Sequence, residues 1–228
     1  MYSTIFFDLD GTLTDSGEGI INSVVYALEC FGFPIPENET LRKFIGPPLA
    51  DSLTQNCGMT YEQAEVATVR FREYFSAKGW KENRVYDGIE SMLIRLRAAG
   101  KRLFVATSKP EEFAVRILDE FGLSKYFDHI CGAPMHAPAG YGKADVIRKA
   151  ILLSGARKTD ILMVGDRYHD IQGAHTMGLD AVGVLYGYGD RAEHELYGAD
   201  YILEDVRQLE MLLLRGDMRC EGDTYGSI

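Results

Sequence analysis

Long apolar runs are missing from this sequence of 228 residues. No stretch approaches the roughly 18–20 apolar residues that a membrane-crossing helix requires. The first residues also lack the basic segment, the apolar stretch and the cleavage site of a signal peptide. We therefore expect a cytoplasmic protein that has no membrane partner.

Closely spaced cysteines are absent as well. The four cysteines are widely separated and show neither a CxxC pair nor the Cys/His spacing of a zinc site: Cys30, Cys57, Cys131 and Cys220. Such an arrangement is typical of reduced thiols in a cytosolic protein.

Positive charge is scarce. The chain has 24 basic against 34 acidic residues, which gives a formal net charge of -10. Because nucleic-acid binding needs a basic face that replaces counterions around phosphate, we expect no nucleic-acid polymer as a partner. A small anionic substrate is compatible with this charge, since a local site can be positive on an acidic protein.

What the chain has is an alternation of short apolar runs and helical patterns. The first run, Thr4–Asp8, is almost continuously apolar, as in a parallel strand that is covered on both faces. Helical spacing of apolar residues follows at 113–121 and 146–153. Further strand-like runs lie at Arg102–Thr107, His129–Gly132, Ile161–Gly165, Ala181–Leu185 and Tyr201–Leu203. The alternation predicts an α/β fold with a doubly wound, Rossmann-like parallel sheet.

The segment from Ser16 to Val85 breaks this alternation. Its patterns predict helices near 21–31, 36–45, 48–57 and 61–77, with no strand between them. About 70 residues of helix inside an α/β chain predict an inserted helical cap domain. We therefore expect an α/β core of residues 1–15 and 86–215, a cap of residues 16–85 and a loose tail of residues 216–228. Glycines at both connections, Gly17 and Gly88, could act as hinges.

The sequence Asp8-Leu9-Asp10-Gly11-Thr12 follows the first strand directly. Residues two apart on extended chain project to the same side, so Asp8 and Asp10 can face one site. The carboxyl ends of parallel strands are also where open α/β sheets bind ligands. A strand that simply ends in an Asp-Gly turn is the structural alternative. The combination of four specified positions favours the functional interpretation.

A second acidic cluster follows the apolar run Ile161–Gly165. It consists of Asp166 at the strand end and Asp170 near the start of the next helix. Oxygen ligands from two strand ends could hold Mg²⁺, which uses few carboxylates and keeps several waters. For Asp170, a helix N-cap is an equally good interpretation.

Two further segments suit a phosphate group. Thr107 and Ser108 end a strand and open a helix, where hydroxyls and backbone N–H groups can meet phosphate oxygens or simply cap the helix. Lys143 lies at a helix N-terminus, where its charge opposes the helix dipole. A bound phosphate would explain that position, although a solvated surface lysine is the plain alternative.

Together these four segments resemble, in order and approximate spacing, the four motifs of the haloacid dehalogenase-like hydrolase superfamily. The helical segment after the first motif resembles that superfamily's cap of the first type. The phrases Phe44–Leu49, Gly165-Asp166-Arg167 and Gly183–Gly189 are similar to its phosphoglycolate phosphatase and 5'-nucleotidase-like branch.

The resemblance implies a Mg²⁺-dependent phosphatase that hydrolyses small phosphate monoesters. Asp8 is then the nucleophile that forms an aspartyl phosphate, and Asp10 is the general acid and base. The implied ligands of Mg²⁺ are Asp8, the backbone carbonyl of Asp10, Asp166 and Asp170, the last directly or through water.

The same resemblance implies the residues that meet the charge of the phosphate: Thr107, Lys143 and the amides near Leu9 and Ser108. The loop before Lys143 is shorter than the polar loop that relatives often have. If Lys143 is displaced, Lys109 or Lys125 is the alternative cation.

Other reactions stay open. A phosphomutase similar to β-phosphoglucomutase would return the phosphoryl group to a sugar, and a pyrophosphatase would cleave a diphosphate. A non-catalytic phospho-acceptor domain is a further alternative. Asp10 favours phosphate-ester chemistry, because the dehalogenases of this superfamily lack a carboxylate there. The expected partner is a small phosphorylated metabolite, and the protein is a monomer or a homodimer.

Overall fold

The computed structural model describes residues 2–47, 49–138 and 140–215. Its strands are β1 (Thr4–Phe7), β2 (Thr14–Asp15), β3 (Arg84–Val85), β4 (Arg102–Pro110), β5 (His129–Ala133), β6 (Ile161–Gly165), β7 (Asp180–Val184) and β8 (Tyr201–Leu203). Its α-helices are α1 (Gly17–Cys30), α2 (Asn38–Arg42), α3 (Leu49–Cys57), α4 (Tyr61–Tyr74), α5 (Ile89–Ala98), α6 (Glu111–Glu120), α7 (Lys143–Ser154), α8 (Tyr168–Met177), α9 (Arg191–Leu196) and α10 (Val206–Arg215). The predicted tail and Pro48 lie outside the described residues.

Six strands form a parallel sheet in the order β5-β4-β1-β6-β7-β8. Strand β1 lies in its interior, where Phe7 pairs with Val105 of β4 and with Val164 of β6. The carboxyl ends of these three strands therefore open at one edge, and the residues that follow them share one site. The predicted α/β fold with a parallel, Rossmann-like sheet is confirmed.

Alternate residues of β1 build the cores on the two faces of the sheet. Ile5 and Phe7 join an apolar cluster with α5, α6 and α10, whereas Phe6 joins a second cluster with α7 and α8. The period of two in a strand sends neighbouring side chains to opposite faces. Because helices cover both faces, β1 must be apolar at every position, as its sequence indicated.

The segment between β2 and β3 is helical, and α1 to α4 enclose a third apolar cluster, which includes Val24, Leu28 and Leu53. Helix α2 is shorter than the predicted range, and the chain then turns through Gly46, whose φ of 104° is left-handed. Helix α4 ends at Tyr74 and continues as a π-helical turn, Phe75–Gly79. None of the helices in the described part of the chain is long and apolar enough to cross a membrane.

A short antiparallel pair, β2 and β3, connects the helical segment to the sheet. Thr14 pairs with Val85 and Asp15 with Arg84, and the Arg84 guanidinium lies 2.8 Å from the Asp15 carboxylate. The sequence analysis predicted hinges near these positions but no strands. Elements of two residues each leave no detectable alternation, because their pairing depends on tertiary contact.

Helix α1 crosses the π-helical turn at two glycines. A Cβ at Gly19 would lie 1.9 Å from the carbonyl oxygen of Gly79, and a Cβ at Gly79 would lie 2.7 Å from Ser23 Oγ. The backbones can approach this closely only because both positions lack a side chain. The single tryptophan, Trp80, is buried directly beside the crossing.

We predict that Gly19→Ala lowers the free energy of unfolding by about 2 kcal/mol or more, because the new methyl group overlaps backbone that must move. Urea unfolding followed by Trp80 fluorescence measures the change. The neighbouring exposed position supplies the control, since Glu18→Ala should change the stability by only about 0.5 kcal/mol. Equal stability of Gly19→Ala and the wild type would contradict this packing.

Candidate active site

The turn after β1 sets the directions of the Asp8 and Asp10 side chains. The carbonyl oxygen of Leu9 accepts hydrogen bonds from the amides of Thr12, Leu13 and Thr14, at 2.9–3.3 Å. Gly11 has a φ of 78°, a conformation that other residues rarely adopt. The turn lies at the sheet edge where β4 and β6 also end.

Three carboxylates from two strand ends converge there. Asp8, Asp166 and Asp170 each offer an oxygen, and these oxygens all lie within 4.8 Å of one another. The three residues are 7%, 1% and 1% exposed, so water screens their repulsion poorly. The structure thus brings the first strand end and the second acidic cluster together.

Lys143 supplies the opposing charge. Its ammonium lies 2.9 Å from Asp8 Oδ1 and 2.7 Å from Asp170 Oδ1, and it donates to the Ala106 carbonyl at 3.1 Å. Lys143 is the first residue of α7 and is 6% exposed. The short loop before it therefore does not displace it from the cluster. Its alternative, Lys125, lies on the surface 3.6 Å from Glu90.

Asp170 is not the N-cap of α8, which is Arg167; it lies three positions later, and its two oxygens make different contacts. Its Oδ2 accepts from the Arg167 amide at 3.1 Å, which closes the first turn of α8. Its Oδ1 points at Lys143 and into the cluster. One carboxylate therefore stabilises the helix end and also contributes charge to the site.

Burial and mutual repulsion shift the protonation of the cluster. Burial raises the pKa of Asp8 to about 6, the nearby Asp170 adds to the increase, and Lys143 opposes it. Burial, followed by the charges of Asp170 and Asp8, raises the pKa of Asp166 well above its ordinary value. For Lys143, burial alone would lower the pKa, but Asp170 and Asp8 raise it. Lys143 thus offsets only part of the effect that burial and the acidic neighbours have on the pKa of Asp8.

Glycines crowd around the carboxylates. A Cβ at Gly11 would lie 2.0 Å from Asp166 Oδ2, and one at Gly187 would lie 2.4 Å from Asp166 Cβ. A Cβ at Gly165 would lie 2.1 Å from Asp170 Cγ. The backbone can pack against both acidic residues only because these positions carry no side chain.

The end of β4 brings the Thr107-Ser108-Lys109 sequence to the same edge. The pairing with β5 shifts register between Ala106 and Pro110, a bulge of the kind that re-aims side chains next to active sites. Thr107 is buried, and its hydroxyl opposes the rise in the pKa of Asp8. Ser108 is half-buried, and the Lys109 ammonium contacts the Asp10 carboxylate at 2.9 and 3.0 Å.

Two residues to which the sequence alone assigned no role connect the site to neighbouring parts of the fold. Arg167 donates to the carbonyl of Ile45 at 2.7 Å. The amide of Tyr188 donates to Asp166 Oδ2 at 2.8 Å, and its hydroxyl donates to Asp15 at 2.6 Å. The Gly187-Tyr188-Gly189 phrase after β7 was a signal for this loop, because closely spaced glycines mark a close backbone approach.

Three basic residues of the helical segment, Arg42, Lys43 and Arg70, are exposed. Arg70 forms a half-exposed ion pair with Glu73 on its own helix, at 2.8 Å. Arg42 and Lys43 are exposed, and Phe44 beside them is buried in the cluster of the helical segment. These contacts are typical of solvated helix faces and a local core.

The acidic cluster and the buried lysine lie together at the carboxyl ends of the parallel sheet. The sequence profile described as "Haloacid dehalogenase-like hydrolase" matches residues 5–184. The match spans the strand ends that carry all four motifs. The chain belongs to this family.

The chain is also similar to individual proteins, among them two curated relatives and one solved structure. The chain is 39% identical to a 5'-nucleotidase of Pseudomonas aeruginosa over 212 residues, which cover 93% of this chain and 96% of that protein. It is 44% identical over 185 residues to tyrosine-protein kinase PtkA of Mycobacterium tuberculosis; these residues cover 81% of this chain but only 62% of that protein's length. The crystal structure of "a predicted phosphatase from Clostridium acetobutylicum" superposes with a TM-score of 0.90 and 43% identity, covering 94% of this chain and 99% of that one.

These findings confirm the resemblance drawn from the four motifs. The family is as predicted, whereas the reaction is a matter of proposal, because the chain spans only 62% of the length of the PtkA relative. The substrate, the metal and the role of each residue are matters of proposal.

We predict that Lys143→Met lowers the free energy of unfolding by about 3 kcal/mol in metal-free protein, because it leaves buried carboxylates without their counter-charge. Lys149→Met, on the same helix, is the matched control. Lys149 pairs with Glu111 and its side chain is 42% exposed, so its loss should cost about 1 kcal/mol or less. Urea midpoints in EDTA compare the two; similar values would refute a strong stabilising role for Lys143.

Proposed function

We propose that the protein is a Mg²⁺-dependent phosphatase that hydrolyses small phosphate monoesters through an aspartyl phosphate on Asp8. The observation that carries this is the position of Asp8 Oδ1. It accepts from the Leu9 amide at 2.8 Å and lies 2.9 Å from the Lys143 ammonium. Two donors orient this carboxylate, whereas an ordinary buried carboxylate among acidic neighbours would be protonated and inert.

In the first step, an oxygen of Asp8 attacks phosphorus and the bond from phosphorus to the ester oxygen breaks. Asp10 gives its proton to that leaving oxygen. In the second step, water attacks phosphorus and transfers a proton to Asp10. The bond from phosphorus to the Asp8 oxygen then breaks, which releases inorganic phosphate and restores the Asp8 carboxylate and the protonated Asp10.

The acidic cluster fits a divalent cation. Its donors are hard carboxylate oxygens, which Mg²⁺ prefers. Asp166 Oδ1 has only a 3.5 Å contact, from Thr12, and Asp170 Oδ1 faces Lys143 without forming a well-directed hydrogen bond. We assign Asp8, Asp166 and Asp170 as side-chain ligands and the backbone carbonyl of Asp10 as a further one. The cation, when bound, neutralises charge on the phosphate oxygens.

The protein's own donors surround the same position. Lys143 touches the carboxylate that would carry the phosphoryl group, and Thr107 influences its pKa. We assign these two side chains, with the amides near Leu9 and Ser108, to the phosphate oxygens. Phosphoryl transfer depends mainly on such positioning and charge neutralisation.

We further propose that residues 16–85 form a cap that excludes bulk water from a core of residues 1–15 and 86–215. Arg167 and Lys109 contact this segment from the core, at Ile45 and Phe75, as a closed cap requires. The substrate we propose is a 5'-nucleotide or phosphoglycolate. The relative named 5'-nucleotidase, which matches along nearly its whole length, supports the first.

We predict that Asp8→Asn abolishes turnover while the fold is retained, because an amide cannot form the phosphoenzyme. The test measures phosphate release from 5'-nucleotides, phosphoglycolate, sugar phosphates and pyrophosphate, with Mg²⁺ and with EDTA. Asp160→Asn, at a surface carboxylate that pairs with Arg157, should keep full activity. Near-normal activity of purified Asp8→Asn protein would exclude the mechanism, and phosphate transfer to a second sugar hydroxyl would indicate a mutase.

We predict that Asp166→Asn weakens Mg²⁺ binding by about tenfold or more, because it removes one charged ligand. Titration calorimetry without substrate gives the affinity, so the result does not depend on activity. Asp160→Asn again serves as the control and should bind Mg²⁺ like the wild type. Unchanged affinity in Asp166→Asn would place the cation elsewhere.

A further inference from the structure

Lys109 is buried against Asp10, the proposed general acid. Its ammonium donates to both oxygens of that carboxylate, at 2.9 and 3.0 Å. The Lys109 side chain is 6% exposed and the Asp10 side chain 13%. A bidentate contact in such a place orients a carboxylate far more firmly than a surface ion pair does.

The other side of the same ammonium faces the helical segment. Lys109 Nζ lies 4.5 Å from the centroid of the Phe75 ring, a cation–π contact. Phe75 is the first residue of the π-helical turn. Its ring packs edge-on against Phe113 of α6 and stacks on Phe71 of α4. The position of Phe75 is therefore defined by both the segment and the core.

The bulge at the end of β4 explains how Lys109 reaches this position. The register shift between Ala106 and Pro110 turns the chain, and the Lys109 amide donates to Thr107 Oγ1 at 3.3 Å. One short stretch thus places Thr107 near Asp8 and Lys109 on Asp10. Within the described residues, the ion pairs of the Lys109 ammonium are with Asp10, and those of Lys143 are with Asp8 and Asp170.

We propose that Lys109 is a positioning residue for Asp10. It holds the carboxylate in the orientation that delivers a proton to the leaving oxygen, and Phe75 keeps Lys109 in place while the helical segment is packed on the core. This inference rests on the proposed function, in which Asp10 is the general acid. In this proposal Lys109 orients Asp10 and does not bind the phosphate group.

The test compares two esters that differ in their need for a proton. A 5'-nucleotide leaves as an alkoxide and requires the general acid, whereas 2,4-dinitrophenyl phosphate leaves as a stable phenolate and does not. Lys109→Met should lower kcat/KM about 100-fold for the nucleotide, within the range of general acid catalysis. For the dinitrophenyl ester it should change by less than about threefold, since kcat/KM reports only the steps through phosphoryl transfer.

Three comparisons make the result specific. Lys149→Met applies the same substitution at a half-exposed site and should leave both esters unaffected. Asp10→Asn should show the same ester selectivity as Lys109→Met, and the double variant should be no worse than Asp10→Asn alone. Phe75→Leu should show the same selectivity in a milder form, because it keeps apolar bulk but removes the ring.

Equal losses on both esters, together with weaker inhibition by inorganic phosphate, would overturn the proposal and make Lys109 a phosphate ligand. Additive losses in the double variant would overturn it as well. Trp80 fluorescence shows whether Lys109→Met is folded. If it is not, Lys109→Gln replaces it in the same comparison. An inactive wild type or an active Asp8→Asn variant would instead refute the proposed function itself, so the two failures are distinguishable.

Discussion

Lys143 lies between Asp8 and Asp170 in a part of the protein that water hardly reaches, and the acidic cluster depends on this contact. Three buried carboxylates within 4.8 Å repel one another strongly, and one ammonium offsets only part of that repulsion. Burial, together with the repulsion that remains, keeps the pKa values of Asp8 and Asp166 high. The buried lysine therefore offsets the repulsion without abolishing it.

The parallel sheet makes this cluster possible. Neighbouring strands end at the same edge, so Asp8 and Asp166, which are 158 positions apart in the numbering, meet without any long loop. Glycines then allow the backbone to close around them, since a methyl group at Gly11 or Gly187 would collide with Asp166. The strand ends therefore bring together both the carboxylates of the site and the glycines that allow tight packing around them.

Much of this could be predicted from the sequence, for physical reasons. Buried parallel strands are apolar throughout, so β1 and β6 were evident, and acidic residues directly after such strands are conspicuous. Lys143 was identifiable because a lysine at a helix N-terminus opposes the dipole. Asp170 was expected at a helix N-cap or at a metal site; it lies three positions after the N-cap, Arg167, and its Oδ2 accepts from the amide of that residue.

What could not be predicted depends on contacts between distant segments. Strands β2 and β3 have two residues each, too few for a periodic signal. The ends of Tyr188 bind Asp166 and Asp15, which no local pattern reveals. Lys109 was expected near the phosphate because it follows Thr107 and Ser108, but a bulge in β4 turns it towards Asp10. Local spacing identifies the strand end, whereas the direction of each side chain is set by tertiary packing.

Two contacts tie the helical segment to the site, and a third ties strand β2 to it. Ile45 accepts from Arg167, which adjoins Asp166; Asp15 accepts from Tyr188; and Phe75 covers Lys109. Each is a polar or cation–π contact that water can replace when the segment moves away, so its net contribution is about 1–3 kcal/mol. A few contacts of this size are weak enough for the binding of a charged substrate to offset. In the proposed cap movement, loss of these contacts would free Arg167 and Lys109, which lie beside Asp166 and Asp10.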